Sequence, residues 1–136
     1  MFEIYTSTPT DYAESEPFTF TTVRQADCTV LNSANNNFII KRPGLYLITF
    51  TGVVSSATAT EDFTVQLYRN GVAVPGVVSS VTSTAANDRG TVTLNTLVNV
   101  RKSCACIDNS TSLQIIVTST AAGTGYTGDL TIVRIL

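Results

Sequence analysis

Histidine and tryptophan are absent from the 136-residue chain, methionine occurs once, and only 13% of the residues are charged. Without histidine there can be no Ser-His-Asp or Cys-His catalysis, no histidine general base and no zinc site that uses imidazole. The charge is also unbiased. Eight Lys and Arg stand against ten Asp and Glu, for a net charge of −2. Only Lys41-Arg42 and Arg101-Lys102 are adjacent bases, so no nucleic-acid partner is expected. No stretch approaches the ~18 apolar residues of a membrane-spanning helix, and no membrane partner is expected. The opening MFEIYTSTPTDYAESEP lacks the basic start and apolar core of a secretory signal. Synthesis in the cytoplasm without a signal peptide is the expectation.

What the chain has in place of charge is hydroxyl: 35 residues are Ser or Thr. With abundant Val, Ile, Tyr and Phe, this is a strand-forming composition. The length fits one domain with its own core. Nowhere do apolar residues recur at helical spacing over three turns. Residues 1–16 are polar and carry Asp11, Glu14, Glu16 and Pro9. They read as an N-terminal arm or linker, with one short strand at Phe2–Tyr5. Residues 17–136 read as the folded domain.

Strands are expected at 18–23, 28–31, 38–41 and 45–54, the last being the strongest in the chain. Arg42-Pro43-Gly44 forms a tight turn before it. DFTVQLYR at 62–69 alternates and meets Asn70-Gly71, a strong hairpin signal. A return at 72–75 ends at Pro75-Gly76, and 77–81 reads as a separate edge strand. TVTLNTLVNV at 91–100 places Val92, Leu94, Val98 and Val100 on one face and Leu97 on the other. Strands at 103–107, 113–118 and 130–136 complete the set, and the glycine-rich segment 121–128 reads as a loop. The fold class is all-β, a two-sheet antiparallel sandwich.

Two strands are apolar on both faces. Tyr46, Ile48 and Phe50 point one way while Leu45 and Leu47 point the other; Leu130, Ile132 and Leu136 oppose Val133 and Ile135. One sheet of a sandwich covers only one face of the other. The second face must therefore lie under a loop or the arm, or against another subunit. Leu45, Leu47, Val133 and Ile135 are the candidate subunit interface.

Phe38-Ile-Ile-Lys-Arg-Pro-Gly-Leu-Tyr-Leu-Ile-Thr-Phe50 resembles the Gly-x-Tyr-x-Phe signature of the globular heads of complement's first component and their tumour-necrosis-factor-like relatives. The resemblance continues through the hairpin DFTVQLYRNG, the strand TVTLNTLVNV and the closing DLTIVRIL, and covers roughly residues 17–136. The segment from Asn70 to Gly76 and the turn before Leu113 are closer to bacterial and phage members, the tips of spore-surface filaments and small virion fibre or decoration proteins. The resemblance implies a jelly roll of two sheets that trimerises about a three-fold axis through its inner sheet. It also implies calcium-binding carboxylates near the apex. Here Glu61-Asp62, Asp108 and Asp129 are isolated, so neither metal nor other cofactor is expected.

Other chemistry is thinly represented. Cys104 and Cys106, two apart on a strand, project from one face. With Cys28 they are open to three readings: buried small hydrophobes, a disulfide involving Cys28, or three thiolates on a metal. An odd cysteine count favours reduced thiols. Glu61 and Asp62, being adjacent, point apart and do not form a catalytic carboxylate pair. Gly123-Thr-Gly125-Tyr-Thr-Gly128 leads into a strand, not a helix, and so is no phosphate loop. No enzyme activity is expected. The expected function is that of a structural and adhesion protein, a homotrimer displayed on a virion or a spore or cell surface as a fibre tip or capsid decoration. The alternative is a module that binds a glycan or protein receptor through loops 55–60, 82–90 and 119–128, with Tyr68, Asp88, Arg89 and Tyr126 as candidate contacts.

Overall fold

The computed structural model describes residues 1–101, 110–119 and 122–136. Among them are eleven strands in two antiparallel sheets and no helix. The first sheet, A, has the order β3 (Thr22–Gln25), β1 (Phe2–Thr6), β11 (Gly123–Arg134), β6 (Gly44–Ser56), β9 (Arg89–Val100), and β2 (Thr10–Tyr12) also pairs with β11. The second, B, has the order β4 (Val30–Ser33), β5 (Asn37–Ile40), β10 (Thr111–Val117), β7 (Asp62–Arg69), β8 (Val72–Thr82). The fold is the jelly-roll sandwich expected.

The core lies between the sheets and follows the alternation of the strands. From sheet A come Ile4, Tyr46, Ile48, Phe50, Val92, Leu94, Leu130 and Ile132; from sheet B come Phe38, Ile40, Val65, Leu67, Leu113 and Ile115, all buried. Leu97 faces outward, as read from its place in the β9 pattern, and is 55% exposed. Asn70 and Gly71 both have positive φ, as a two-residue hairpin whose twist matches its strands requires.

The structure departs from the expected elements in four places. Residues 1–16 are not an arm lying apart from the sheet. β1 sits between β3 and β11, with Phe2 paired to Ile132 and Ile4 to Leu130, and Tyr12 of β2 is buried. Polar composition hid this because Phe2, Ile4 and Tyr12 are the only apolar residues of the segment that face the core, beside buried Thr6, while Glu3, Tyr5 and Asp11 face outward. Second, 18–21 is no strand. Phe18 donates its amide to Ile115 of sheet B, and Thr21 donates its amide to Tyr5 of sheet A. The segment thus crosses from one sheet to the other, and its alternation plants Phe18 and Phe20 in the core.

Third, the glycine-rich segment is sheet, not loop: from Gly123 onward it belongs to β11 and pairs with β6 and β2. The glycines are there for space. A Cβ on Gly123 would overlap the Phe63 ring, and one on Gly125 or Gly128 would lie 2.8 or 2.5 Å from the Phe18 ring. A bulge between Gly125 and Thr127 shifts the alternation by one, so that all three glycines face the core. Fourth, β8 does not stop at Pro75-Gly76. The register against β7 jumps there, and β8 continues to Thr82 as an edge strand. The strand expected at 103–107 lies outside the described residues.

Around Phe18 the rings form one cluster. Phe18 stacks on Tyr12 at 5.1 Å and meets Phe50 edge-on at 5.1 Å, and Phe20 meets Phe38 edge-on at 5.9 Å. Such pairs add ~0.5–1.5 kcal/mol beyond the area they bury. The Tyr12 hydroxyl accepts from the Thr19 amide at 3.1 Å and donates to the Thr19 carbonyl, satisfying a backbone that has left both sheets.

Candidate functional site

Strand direction gives the sandwich two distinct ends. At the first, the loop end, β6 finishes at Ser56 and β9 and β11 begin, opposite one another in register. Loops 57–61 and 83–88 gather there, joined by hydrogen bonds from Asn87 to Ser56 and from Thr60 to Ser83. At the second, the terminal end, Gly44 pairs with Val100. Phe2 and Leu136 lie there too, the latter accepting from the Leu45 amide.

The outer face of sheet A carries the residues expected at a subunit contact. Leu47 is paired with Val133 on one side and Leu97 on the other, so three apolar side chains form a row across β11, β6 and β9. Leu45 and Ile135 extend the row toward the terminal end, where Ile135 donates its amide to Leu45 at 2.8 Å. Leu45, Leu47 and Val133 are half-buried, whereas Leu97 and Ile135 are 55% and 45% exposed. The N-terminal segment does not cover them, because β1 and β2 run within the sheet. Leu97 was not among the expected contacts. Its alternation showed which way it points, but only the strand register places it beside Leu47.

Toward the loop end the same face turns polar. The next row is Thr131, Thr49 and Asn95, and the one after it Asp129, Thr51 and Thr93. Here Arg24 of β3 bridges two carboxylates, Glu3 at 2.8 Å and Asp129 at 3.3 Å, while its guanidinium lies over the Tyr5 ring at 4.3 Å. The neighbouring Asp129 carboxyl raises the Glu3 pKa above the usual carboxylate range, first through a hydrogen bond and then with burial; Arg24 opposes the shift. Asp129 Oδ1, buried in this cluster, has no hydrogen-bond partner among the described residues. This cluster was invisible in the sequence, where Asp129 lies 105 residues from Arg24 and Glu3 lies 21.

The four candidate ligand contacts do not come together. Asp88, Arg89 and Tyr126 lie at the loop end. Tyr68 lies on β7 beside the hairpin, at the terminal end. Tyr126 is not a free tip. Its ring lies under the Arg89 guanidinium at 3.9 Å and its hydroxyl hydrogen-bonds Ser55 Oγ at 3.0 Å. The Asp88 carboxylate is occupied by Thr84 Oγ1 at 2.8 Å and the Ala85 amide at 3.1 Å, which close the 83–88 loop. Beside that loop Thr60, Glu61, Asp62, Thr64, Thr118 and Ser119 line a shallow groove of about 270 Å³. Among the described residues no three Cys, Asp or Glu side chains converge as metal ligands. Cys28 is exposed, not buried; the disulfide and metal readings depend on Cys104 and Cys106, which lie outside the described residues.

No family model and no curated protein matches the chain. Its fold does match solved structures. The globular domain of a zebrafish complement 1qA protein aligns with a TM-score of 0.63 at 12% identity, covering 93% of each chain. The vertex protein P5 of phage PRD1 aligns with a TM-score of 0.61 at 16% identity, covering 99% of this chain and 96% of that one. The Eiger TNF from S. frugiperda gives 0.61 at 10% identity, over 99% and 93%. At these identities the likeness is one of fold: the chain has the tumour-necrosis-factor-like jelly roll shared by complement heads and a phage vertex protein.

Proposed function

We propose that the chain is a non-enzymatic structural protein, a homotrimeric jelly-roll head displayed on a particle surface. The particle is a phage virion before a spore or cell surface, and the head serves as a fibre tip or capsid decoration. The observation that carries this reading is the row Val133–Leu47–Leu97, with Leu45 and Ile135 beside it, on the outer face of a sheet whose inner face already closes the core. Burying the rest of Leu97 and Ile135 contributes roughly 1 kcal/mol each per copy. Three copies arranged around an axis would do so for every subunit at once. The fold shared with a phage vertex protein supports the virion setting, and among the described residues no helix is long and apolar enough to cross a membrane.

Light scattering coupled to gel filtration tests the assembly. The expected mass is that of three chains, and Leu47→Asp reduces it to one while the far-ultraviolet circular dichroism of the fold persists. A wild-type chain that stays monomeric, or a trimer that survives Leu47→Asp, refutes this contact.

One observation favours a second role, as a receptor- or carbohydrate-binding module. The loops that fold together at the loop end face away from the termini, and Arg89 and Tyr126 stand beside them. Binding on a glycan array that is lost in Tyr126→Ala, with the trimer intact, is the outcome this role requires.

A further inference from the structure

Five of the eight basic residues, though scattered in sequence, gather in space. Lys41, Arg42, Arg69, Arg101 and Arg134 all lie at the terminal end, beside or just beyond the Gly44–Val100 pair. Among the described residues the one acidic side chain beside them, Asp27, is taken up by Thr29 and the amino terminus, and the C-terminal carboxylate of Leu136 lies at the same end. At the loop end the balance reverses: Asp11, Glu14, Glu16, Glu61, Asp62 and Asp88 face Arg89 alone. A net charge near zero thus conceals a molecule that is positive at one end and negative at the other.

At the positive end sheet B has a groove of about 350 Å³ lined by Cys28, Thr29, Leu31, Ile39, Lys41 and Arg42. Its floor is apolar. Leu31 and Ile39 are register partners on β4 and β5, and Leu31 is 56% exposed. Its rim is cationic, and neither Lys41 nor Arg42 forms an ion pair among the described residues. The Tyr46 hydroxyl donates to the Arg42 carbonyl at 2.8 Å, which holds the rim in place. β4 is the edge of the sheet, and an edge strand offers backbone N–H and C=O groups to an incoming strand.

We propose that this groove docks an extended acidic segment of a carrier protein, seating an apolar side chain over Leu31 and Ile39 and its carboxylates against Lys41 and Arg42. The cations select an anionic partner. The apolar floor favours a peptide over a nucleic acid, whose phosphates would leave Leu31 and Ile39 uncovered. The open edge selects an extended chain. The site lies on the outer face of sheet B and does not depend on the trimer contact on sheet A.

A fluorescein-labelled peptide, Glu-Asp-Leu-Thr-Leu-Asp-Glu, titrated by anisotropy at low salt is expected to bind with a Kd of ~10–100 µM. Bound peptide is expected to slow alkylation of Cys28 by iodoacetamide, read by mass spectrometry of the digested protein. Lys41→Glu with Arg42→Glu should weaken binding at least ~10-fold, and Leu31→Ser several-fold, with melting temperatures unchanged. Leu47→Asp should leave it intact, which separates this site from the trimer reading. No binding overturns the proposal. So does equal binding of a peptide with glycine for both leucines, or equal protection of Cys28 by single-stranded DNA, which would mark a general anion site. Salt-sensitive growth of the particle beyond three chains, blocked by the same double substitution, would assign the groove to the loop end of another copy instead.

Discussion

The two ends of this sandwich are built differently. The loop end is acidic outside and tight inside: Gly123, Gly125 and Gly128 bring the β11 backbone against Phe63 and Phe18, and the loops are closed by their own side chains. The terminal end is basic, carries exposed Leu97 and Ile135 beside half-buried Leu45, and turns through Asn70-Gly71, where a Cβ on Gly71 would meet nothing within 4 Å. The contrast shows that exposure and looseness are separate properties. Close packing underlies the conspicuous loops of one end, whereas the other, although a Cβ on its Gly44 would lie 2.5 Å from the Arg134 side chain, is the one whose surface is unfinished.

The sharpest way to break this contrast is to add the same kind of bulk at each end. Gly128→Val forces a side chain into the Phe18 ring and is expected to cost about 3 kcal/mol. Gly71→Ala meets only its own positive φ of 79° and should cost about 1 kcal/mol. Urea denaturation of both variants decides it, and equal costs would mean that the glycine contacts do not hold the loop end together.

A smaller effect separates the ends by pH. Asp27, at the terminal end, has its pKa lowered to about 2, first by the Thr29 amide and then by the amino terminus and the Thr29 hydroxyl. A lowered carboxylate pKa gives stability that is present above the unfolded value of about 4 and lost as pH falls through about 2. Asp27→Ala should therefore cost about 1–2 kcal/mol near neutral pH and progressively less in acid. A cost that stays constant from pH 7 to pH 2 would assign the role of Asp27 to packing.

How legible these regions were in sequence follows from the same packing. β6, β7 and β9 each bury one face, so alternation located them, and with them the all-β class and the outward Leu45 and Leu47; the same reading of the closing strand gave Val133 and Ile135, while the jelly roll itself was implied by the resemblance. Residues 1–16 and 123–128 hold their places through a few side chains, Phe2, Ile4 and Tyr12, or through the lack of one at each glycine. Local composition cannot register contacts made to Phe18 or Phe63. The row that joins Leu97 to Leu47, the Glu3–Arg24–Asp129 cluster and the gathering of cations at one end all depend on register and topology, which bring distant positions together.

At the loop end, the contact between Arg89 and Tyr126 should be measurable by a double-mutant cycle. With Arg89→Met and Tyr126→Leu, a coupling of ~0.5–1 kcal/mol is expected for a cation over an aromatic face at a partly exposed site. A coupling near zero would leave Tyr126 free to turn toward a ligand.

Between the two ends lies the smallest expected effect, and its sign is the informative part. Glu3 has its pKa raised because it abuts Asp129, although Arg24 pulls the other way. A raised carboxylate contributes stability below its unfolded value and loses it as pH rises through the folded one. At neutral pH the ionised Glu3 is therefore a small net burden, and Glu3→Gln should stabilise the fold by about a few tenths of a kcal/mol, given how weakly such surface pairs act. The gain should vanish below about pH 4, where the wild-type carboxyl is already neutral. Thermal melts of the two proteins across that range read the sign directly. A loss of stability at neutral pH would show that the ion pair with Arg24 outweighs the unfavourable contact between the two carboxyls, and that the polar part of this face is held by attraction between opposite charges.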